Sequence, residues 1–377
     1  MPLSTSKVRR PESLLAMLSA GVEAIYTSGV DRVSVSQVSE LSQHSRPTFY
    51  SYFGDVNGLL AEIWMKWGPA WLKRTADLDY ELANDSLENQ KLHLALTEIF
   101  AIARRTPELL EVVEPNVTDW WRDHEGDSEL CKLRLLWLLG ERIGSTIASS
   151  VEQGGLALQF IEAGLRMLPA QPSGSRVSAM PDLQLPQIGG DYSFDDEVEL
   201  KLLEAAVDVI ASTGVSSASI ARIARRAQLT SGAVYPRFEN FDDLLNATFE
   251  YSVYRMVSKD LPKDGAGMGM LIGNENGRQT WRNFRVEVHL EGRQRPALAE
   301  QIRKNLQSNS DDIAKQLRQQ PNPDLFVESL PYLMHCLSIG FTTIQNSGLP
   351  IRSYNHELLI GELVNLLDTY FKEQPKP

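Results

Sequence analysis

The chain has 377 residues, 42% hydrophobic and 23% charged, which is enough apolar content for two or more cores and excludes a disordered protein. A formal net charge of −12 argues against indiscriminate polyanion binding. It leaves room for a local basic patch, because charges farther apart than about 8–10 Å are largely screened at physiological salt. The two cysteines, Cys131 and Cys336, form neither a disulfide framework nor a zinc-ligand spacing, so a reducing cytoplasm is the expected location.

The first residues, Lys7, Arg9 and Arg10 ahead of Leu14-Leu15-Ala16-Met17-Leu18, loosely imitate a signal peptide, but the same segment recurs inside the chain and belongs to the fold. The longest apolar stretch, Leu133 to Gly140, contains Arg134 and is no membrane span. Leu15, Leu18, Val22 and Ile25 follow the stripe of an amphipathic helix that stops at Ser28-Gly29-Val30. Ser34 then caps a short helix with Val35 and Val38 facing inward. Ser45 caps a third helix with Pro47 in its first turn, and Tyr50-Ser51-Tyr52-Phe53 followed by Leu59-Leu60 opens a fourth. Long helical periodicity continues to about Met167, most apolar from Ser128 onward. From Pro169 to Tyr192, four prolines and three glycines read as an irregular linker that could span roughly 75 Å.

Beyond the linker the pattern starts again. Gly214 lies 185 positions after Gly29, and at that displacement Leu15 through Leu60 match without a gap. Leu200, Leu203, Val207 and Ile210 repeat the first stripe; Ser219 repeats Ser34, with Ile220 and Ile223 inward; Thr230 repeats Ser45 as the cap of a third helix. Tyr235-Pro236-Arg237-Phe238 with Leu244-Leu245 repeats the closing motif. Fainter matches follow: Arg105-Thr106-Pro107-Glu108-Leu109 answers Gln294-Arg295-Pro296-Ala297-Leu298, and Ile143-Gly144 answers Ile339-Gly340. Their displacements, 189 and 196, imply small insertions in the second half, with Gly265 to Gly277 one place for them. The final apolar helices of that half run from about Asp324 to Phe371.

Both segments resemble the DNA-binding domain of the TetR family of transcriptional regulators. The resemblance implies an all-α fold of two TetR-like halves, each a helix-turn-helix domain followed by a helical ligand and dimerisation domain, joined as an intramolecular pseudo-dimer. The implied domains are 8–63 and 193–248 for DNA binding, 64–168 and 249–373 for regulation, and 169–192 for the linker. The implied partners are a double-stranded DNA operator and a small-molecule effector, with repression the commoner output, no cofactor, no metal and no membrane.

Recognition helices enter the major groove with their N-terminal residues at base edges. By resemblance the first reading surface is Ser45, Arg46, Pro47, Thr48, Phe49, Tyr50 and Tyr52, with Arg46 the guanine reader. The second is Thr230, Ser231, Gly232, Ala233, Tyr235 and Arg237, supported by Arg222, Arg225 and Arg226 on the preceding helix. The basic arm Lys7, Arg9 and Arg10 is a further phosphate partner. Several positions depart from the family pattern: Gln43 and Gln228 stand at the turn glycine, His44 at a small apolar residue, and Val56 and Phe241 at the lysine that begins the fourth helix. Pro236 also interrupts the second recognition helix. Since the two surfaces share little beyond Tyr50 and Tyr235, an operator with unlike half-sites is expected.

Trp64, Trp67, Trp71, Trp120, Trp121 and Trp137 crowd the first half, against only Trp281 in the second. They either line an effector pocket or fill a core. His93, His124, His289, His335 and His356 are scattered without metal-ligand spacing. No nucleophile elbow, phosphate loop or paired acid motif points to an enzyme. The rival to a regulator is a protein of the same fold that has lost DNA binding in one or both units.

Overall fold

The computed structural model describes residues 11–81, 84–151, 155–169, 196–257, 279–317 and 330–373. The basic arm, almost all of the expected linker and the glycine-rich 265–277 lie outside them. Among the described residues every regular element is helical, and no helix is long and apolar enough to cross a membrane. The chain divides into two compact units: Met1–Arg74 with Glu81–Trp120, and Thr75–Tyr80 with Trp121–Pro377. The last helices of the first half therefore belong to the larger unit, a division the half-by-half reading does not anticipate.

The smaller unit begins with α1 (Pro11–Ser28), α2 (Val35–Leu41), α3 (Arg46–Phe53) and the start of α4 (Val56–Thr75). Leu18, Val22, Ile25, Val38, Phe49, Phe53, Leu59 and Leu60 are all buried, as an amphipathic stripe requires. Leu15 departs from that stripe at 48% exposure. Helices α5 (Leu87–Ala103) and α6 (Pro107–Arg122) complete the unit. Three polar ties hold α5 to the α1 end: Glu98 accepts the Val30 N–H at 2.8 Å, Lys91 meets Glu23 at 2.7 Å, and Arg105 reaches Asp31 at 2.7 Å. Between them Trp64 stacks on Phe100 with Trp71 edge-on, and the two indole N–H groups donate to Asn116 and His93.

These tryptophans fill a core. Trp64, Trp71 and Trp120 are buried and Trp67 is half-buried in the smaller unit, whereas Trp121, Trp137 and Trp281 belong to the larger one. Four of the seven thus lie in the smaller unit and three in the larger.

In the larger unit, α9 (Glu197–Thr213), α10 (Ile220–Arg226) and α11 (Phe241–Val257) repeat α1, α2 and α4. Leu203, Val207, Ile210, Ile223, Val234, Phe238, Leu244 and Leu245, the register mates of the first core, are buried too. Helices α12 (Gln279–Gly292) and α13 (Pro296–Leu317) follow, and Pro296 begins its helix as Pro107 begins α6.

The framework of this unit is the crossing of α7 (Glu129–Ile147) with α14 (Leu330–Asn346), flanked by α8 (Gly155–Met167) and α15 (His356–Glu373). The two helices touch through backbone. A Cβ added at Gly144 would lie 1.8 Å from the Cys336 carbonyl oxygen, and one added at Gly340 only 1.7 Å from that of Gly140. The displacement of 196 that carries Gly144 to Gly340 also carries Gly140 to Cys336, so the two contacts are reciprocal. Beside them Trp137 packs edge-on to Phe341 and donates to His356 at 3.0 Å.

Two residues after Gly140 in α7, Arg142 is 1% exposed and donates to the carbonyls of Thr75, Asp77 and Tyr80 and to Glu162 on α8. Arg166 adds a bond to the Leu78 carbonyl. Four backbone carbonyls of the segment that leaves α4 are thus held by two arginines.

Each short helix α2 and α10 ends in the same way. His44 N–H bonds the Ser39 carbonyl and Gln43 N–H that of Glu40; 185 positions on, Leu229 and Gln228 bond Ala224 and Arg225. This paired closure places the residue after the cap in left-handed backbone, and Gln43 and Gln228 have φ of 56° and 59°. The missing turn glycines thus do not abolish the turn; they strain it.

Two outcomes follow. Gln43→Gly and Gln228→Gly should each stabilise by about 0.5–1 kcal/mol, the left-handed penalty less glycine's unfolded-state entropy. A fall in the urea midpoint on either substitution would contradict this. Gly340→Ala should destabilise by about 3 kcal/mol or more because backbone, not a side-chain tip, must move. Gly126→Ala, with nothing within 4 Å, is the neutral control in the same melts.

Candidate nucleic-acid interface

A helix-turn-helix reads DNA only if its third helix presents side chains outward from a rigid base. In the first copy the base is sound. Ser45 Oγ accepts the Thr48 N–H at 3.3 Å and pairs with the Thr48 hydroxyl at 2.8 Å, so the N-terminus of α3 is closed by its own cap. Pro47, in the first turn, costs no hydrogen bond. Ser45, Arg46, Pro47 and Tyr50 are exposed, with Tyr50 at 54%; Thr48 and Tyr52 are half-buried. The Arg46 side chain makes no hydrogen bond or ion pair with the described residues, and its exposed guanidinium can reach a base edge or phosphate. Phe49 is corrected: it is fully buried, its ring 5.0 Å from Phe53, and it supports the helix rather than touching DNA. The register could have shown this, because its mate Val234 is a core residue as well.

In the second copy the base differs. No α-helix spans Thr230 to Arg237; the chain makes one 3-10 turn, Ser231–Ala233, and the Thr230 side chain does not cap it. Pro236 explains this, since it lacks an N–H and its ring would strike the carbonyl four residues back, at Gly232, itself a poor helix former. The expected recognition helix is thus a turn. Thr230, Gly232 and Tyr235 are exposed, Tyr235 at 59%, while Ser231 and Ala233 are half-buried.

The arginines of this copy are partly committed. Arg237 bonds Asp196 at 2.6 Å and the Ala233 carbonyl, tying the turn to the N-terminus of α9, which Asp196 also caps. The Arg237 bond is the main reason the Asp196 carboxyl titrates below its usual range. Arg226 pairs with Asp208 at 2.7 Å, and Arg222 donates to the Ser217 carbonyl. Arg225 is exposed, and its side chain makes no hydrogen bond or ion pair with the described residues. Exposed Glu239, Asp242 and Asp243 border the turn where α11 begins, and their charge opposes a phosphate there. The structure therefore brings Arg46 and Tyr50 together on one outward strip, leaves Arg225 and Tyr235 outward in the second copy, and holds Arg237 inward. Among the described residues no group of three or more His, Cys, Asp or Glu side chains could hold a metal ion.

Residues 202–248 match the family described as bacterial regulatory proteins, tetR family. The matched stretch is the second copy, from α9 through the turn into α11. No curated protein matches the chain. A transcriptional regulator from Rhodococcus sp. Rha1 is similar in structure at 19% identity, covering 48% of this chain and 99% of its own, with a TM-score of 0.37; a likeness this distant carries no argument. The family match supports a DNA-binding role for that stretch.

Proposed function

We propose that the chain is a sequence-specific transcriptional regulator of the cytoplasm, a repressor released by a small-molecule effector, in which two unlike helix-turn-helix units read an asymmetric operator. The observation that carries the reading is the exposed Arg46 and Tyr50 strip on the capped α3, standing at the same register as the matched residues 202–248. The pseudo-dimer is supported by the reciprocal glycine contacts of α7 and α14, because a two-fold interface pairs i with j and the mate of j with the mate of i. No catalytic role is proposed.

A narrower reading, in which the second unit contributes only phosphate contacts, is favoured by its 3-10 turn and by the Asp196 bond on Arg237. The work divides accordingly: base reading from Arg46, backbone neutralisation from Arg225.

Mobility shifts on fragments of the source genome, followed by footprinting, test both. Arg46→Ala should weaken one half-site by about 1–3 kcal/mol, roughly five- to 150-fold. Arg225→Ala should weaken all sequences alike and lower the slope of log K against log salt by about one. Absence of any shift at low salt would sink the DNA-binding reading, and loss of the same half-site in both variants would sink the asymmetric one.

A further inference from the structure

The displacement of 189 that sets Pro296 against Pro107 also sets α12 against α5, and the buried Glu287 against the buried Glu98. At this register the buried His93, Leu96 and Phe100 of α5 become Arg282, Arg285 and His289 of α12, which are buried as well. A leucine and a phenylalanine of one core are thus an arginine and a histidine of the other. Side chains of this kind are kept inside only when something satisfies them.

Within the larger unit these groups face α14. Arg285 Nη2 donates to His335 Nδ1 at 2.8 Å, and its Nη1 donates to Ser338 Oγ at 3.3 Å. Arg282 Nη1 reaches the same hydroxyl at 3.4 Å. His289 donates from Nδ1 to the Arg285 carbonyl at 2.7 Å, leaving Nε2 to accept from His335 Nε2–H at 2.8 Å. That bonding pattern fixes both tautomers and keeps both rings neutral. Burial pushes the His289 imidazole down to about 3 and His335 well below its usual value. Among the described residues Arg285 thus bonds a hydroxyl and a neutral imidazole and no carboxylate, and its desolvation lowers it to about 10. Burying a guanidinium without a counter-charge is costly. His335 is half-buried, the most exposed member of the cluster.

We propose that Arg285, with Ser338 and His335, binds the carboxylate of an otherwise apolar acid, and that this acid is the effector. A guanidinium presents two parallel N–H donors to a carboxylate, and a charge-assisted pair in a dry site is stronger than the weak hydroxyl bond it replaces. Val288 packs into the core with Val207, Ile210 and Leu298, and the other buried residues of these turns, Val286 and Leu337, are apolar as well. The equivalent interior of the first half is closed by Trp64, Trp71 and Phe100. The second half is therefore the sensing half. The word effector rests on the regulator reading; the binding itself does not, so it is measured without DNA.

Thermal melts and calorimetry of the full chain with sodium benzoate and sodium octanoate, against benzyl alcohol, octanol and inorganic phosphate, test this. One or both carboxylates should raise Tm saturably, with neither alcohol nor phosphate doing so. Arg285→Lys, which keeps the charge and loses the fork, should weaken binding about ten- to a hundred-fold. Arg285→Leu should abolish it without lowering the Tm of the ligand-free protein, since an apolar group replaces a buried charge. If Arg285→Leu does not fold, Arg285→Lys and Ser338→Ala carry the test. The proposal is overturned if neither carboxylate shifts Tm, if phosphate or the alcohols act equally, or if the foldable variants bind as the parent does. If a carboxylate binds but never alters a DNA shift, the site stands and the effector role falls.

Discussion

The approach of α7 to α14 through bare backbone is the constraint from which the larger unit is built. Two helices whose carbonyls lie against each other's glycines have one workable register, because sliding by one residue would drive a Cβ into a backbone atom. Once that register is set, neighbouring residues inherit their positions: Trp137 against Phe341 and His356, Arg142 toward the carbonyls of the segment leaving α4, and Ser338 toward α12. The unit has no strand among its described residues to fix its elements, so a tight helix crossing takes that role. The same crossing explains the reach of the larger unit, which takes its two framework helices from opposite halves of the sequence.

Much of the fold was legible in the sequence because it depends on local rules. Ser34, Ser45 and Ser219 cap their helices and Gly29 and Gly214 end theirs, as their positions announce. The apolar stripes name the cores of both copies. What could not be read was set by competition between local and distant effects. Thr230 has the chemistry of a cap, yet Pro236 six residues on removes the helix it would have capped. Phe49 sits among contact residues by family position but is claimed by the core. Leu15 fits the period and is left outside.

The chemistry of the interior was less legible still. Seven tryptophans draw the eye to an aromatic pocket, but the indole N–H groups of Trp64, Trp71 and Trp137 find partners in Asn116, His93 and His356, and the rings of Trp64 and Trp71 close against each other. His289 and His335 are 46 positions apart in sequence and in contact in the fold. A signal existed nonetheless: reading the fainter repeat beyond the DNA-binding units, position by position, exposes Arg285 opposite Leu96 and His289 opposite Phe100. Internal repeats therefore inform twice, once through what the copies share and once through the buried positions where they differ.

The Arg142 clamp has a bearing on how this chain tolerates change in length. Connections between helices usually lengthen at little expense, about 0.6 kcal/mol for each doubling. The stretch from Thr75 to Tyr80 is different, because three of its carbonyls are acceptors for one buried guanidinium and a fourth bonds Arg166. An inserted residue there would strand donors inside the protein at about 1–3 kcal/mol apiece. Among the loops of this molecule, the one that carries α4 toward α5 behaves in its response to insertion like a piece of the core.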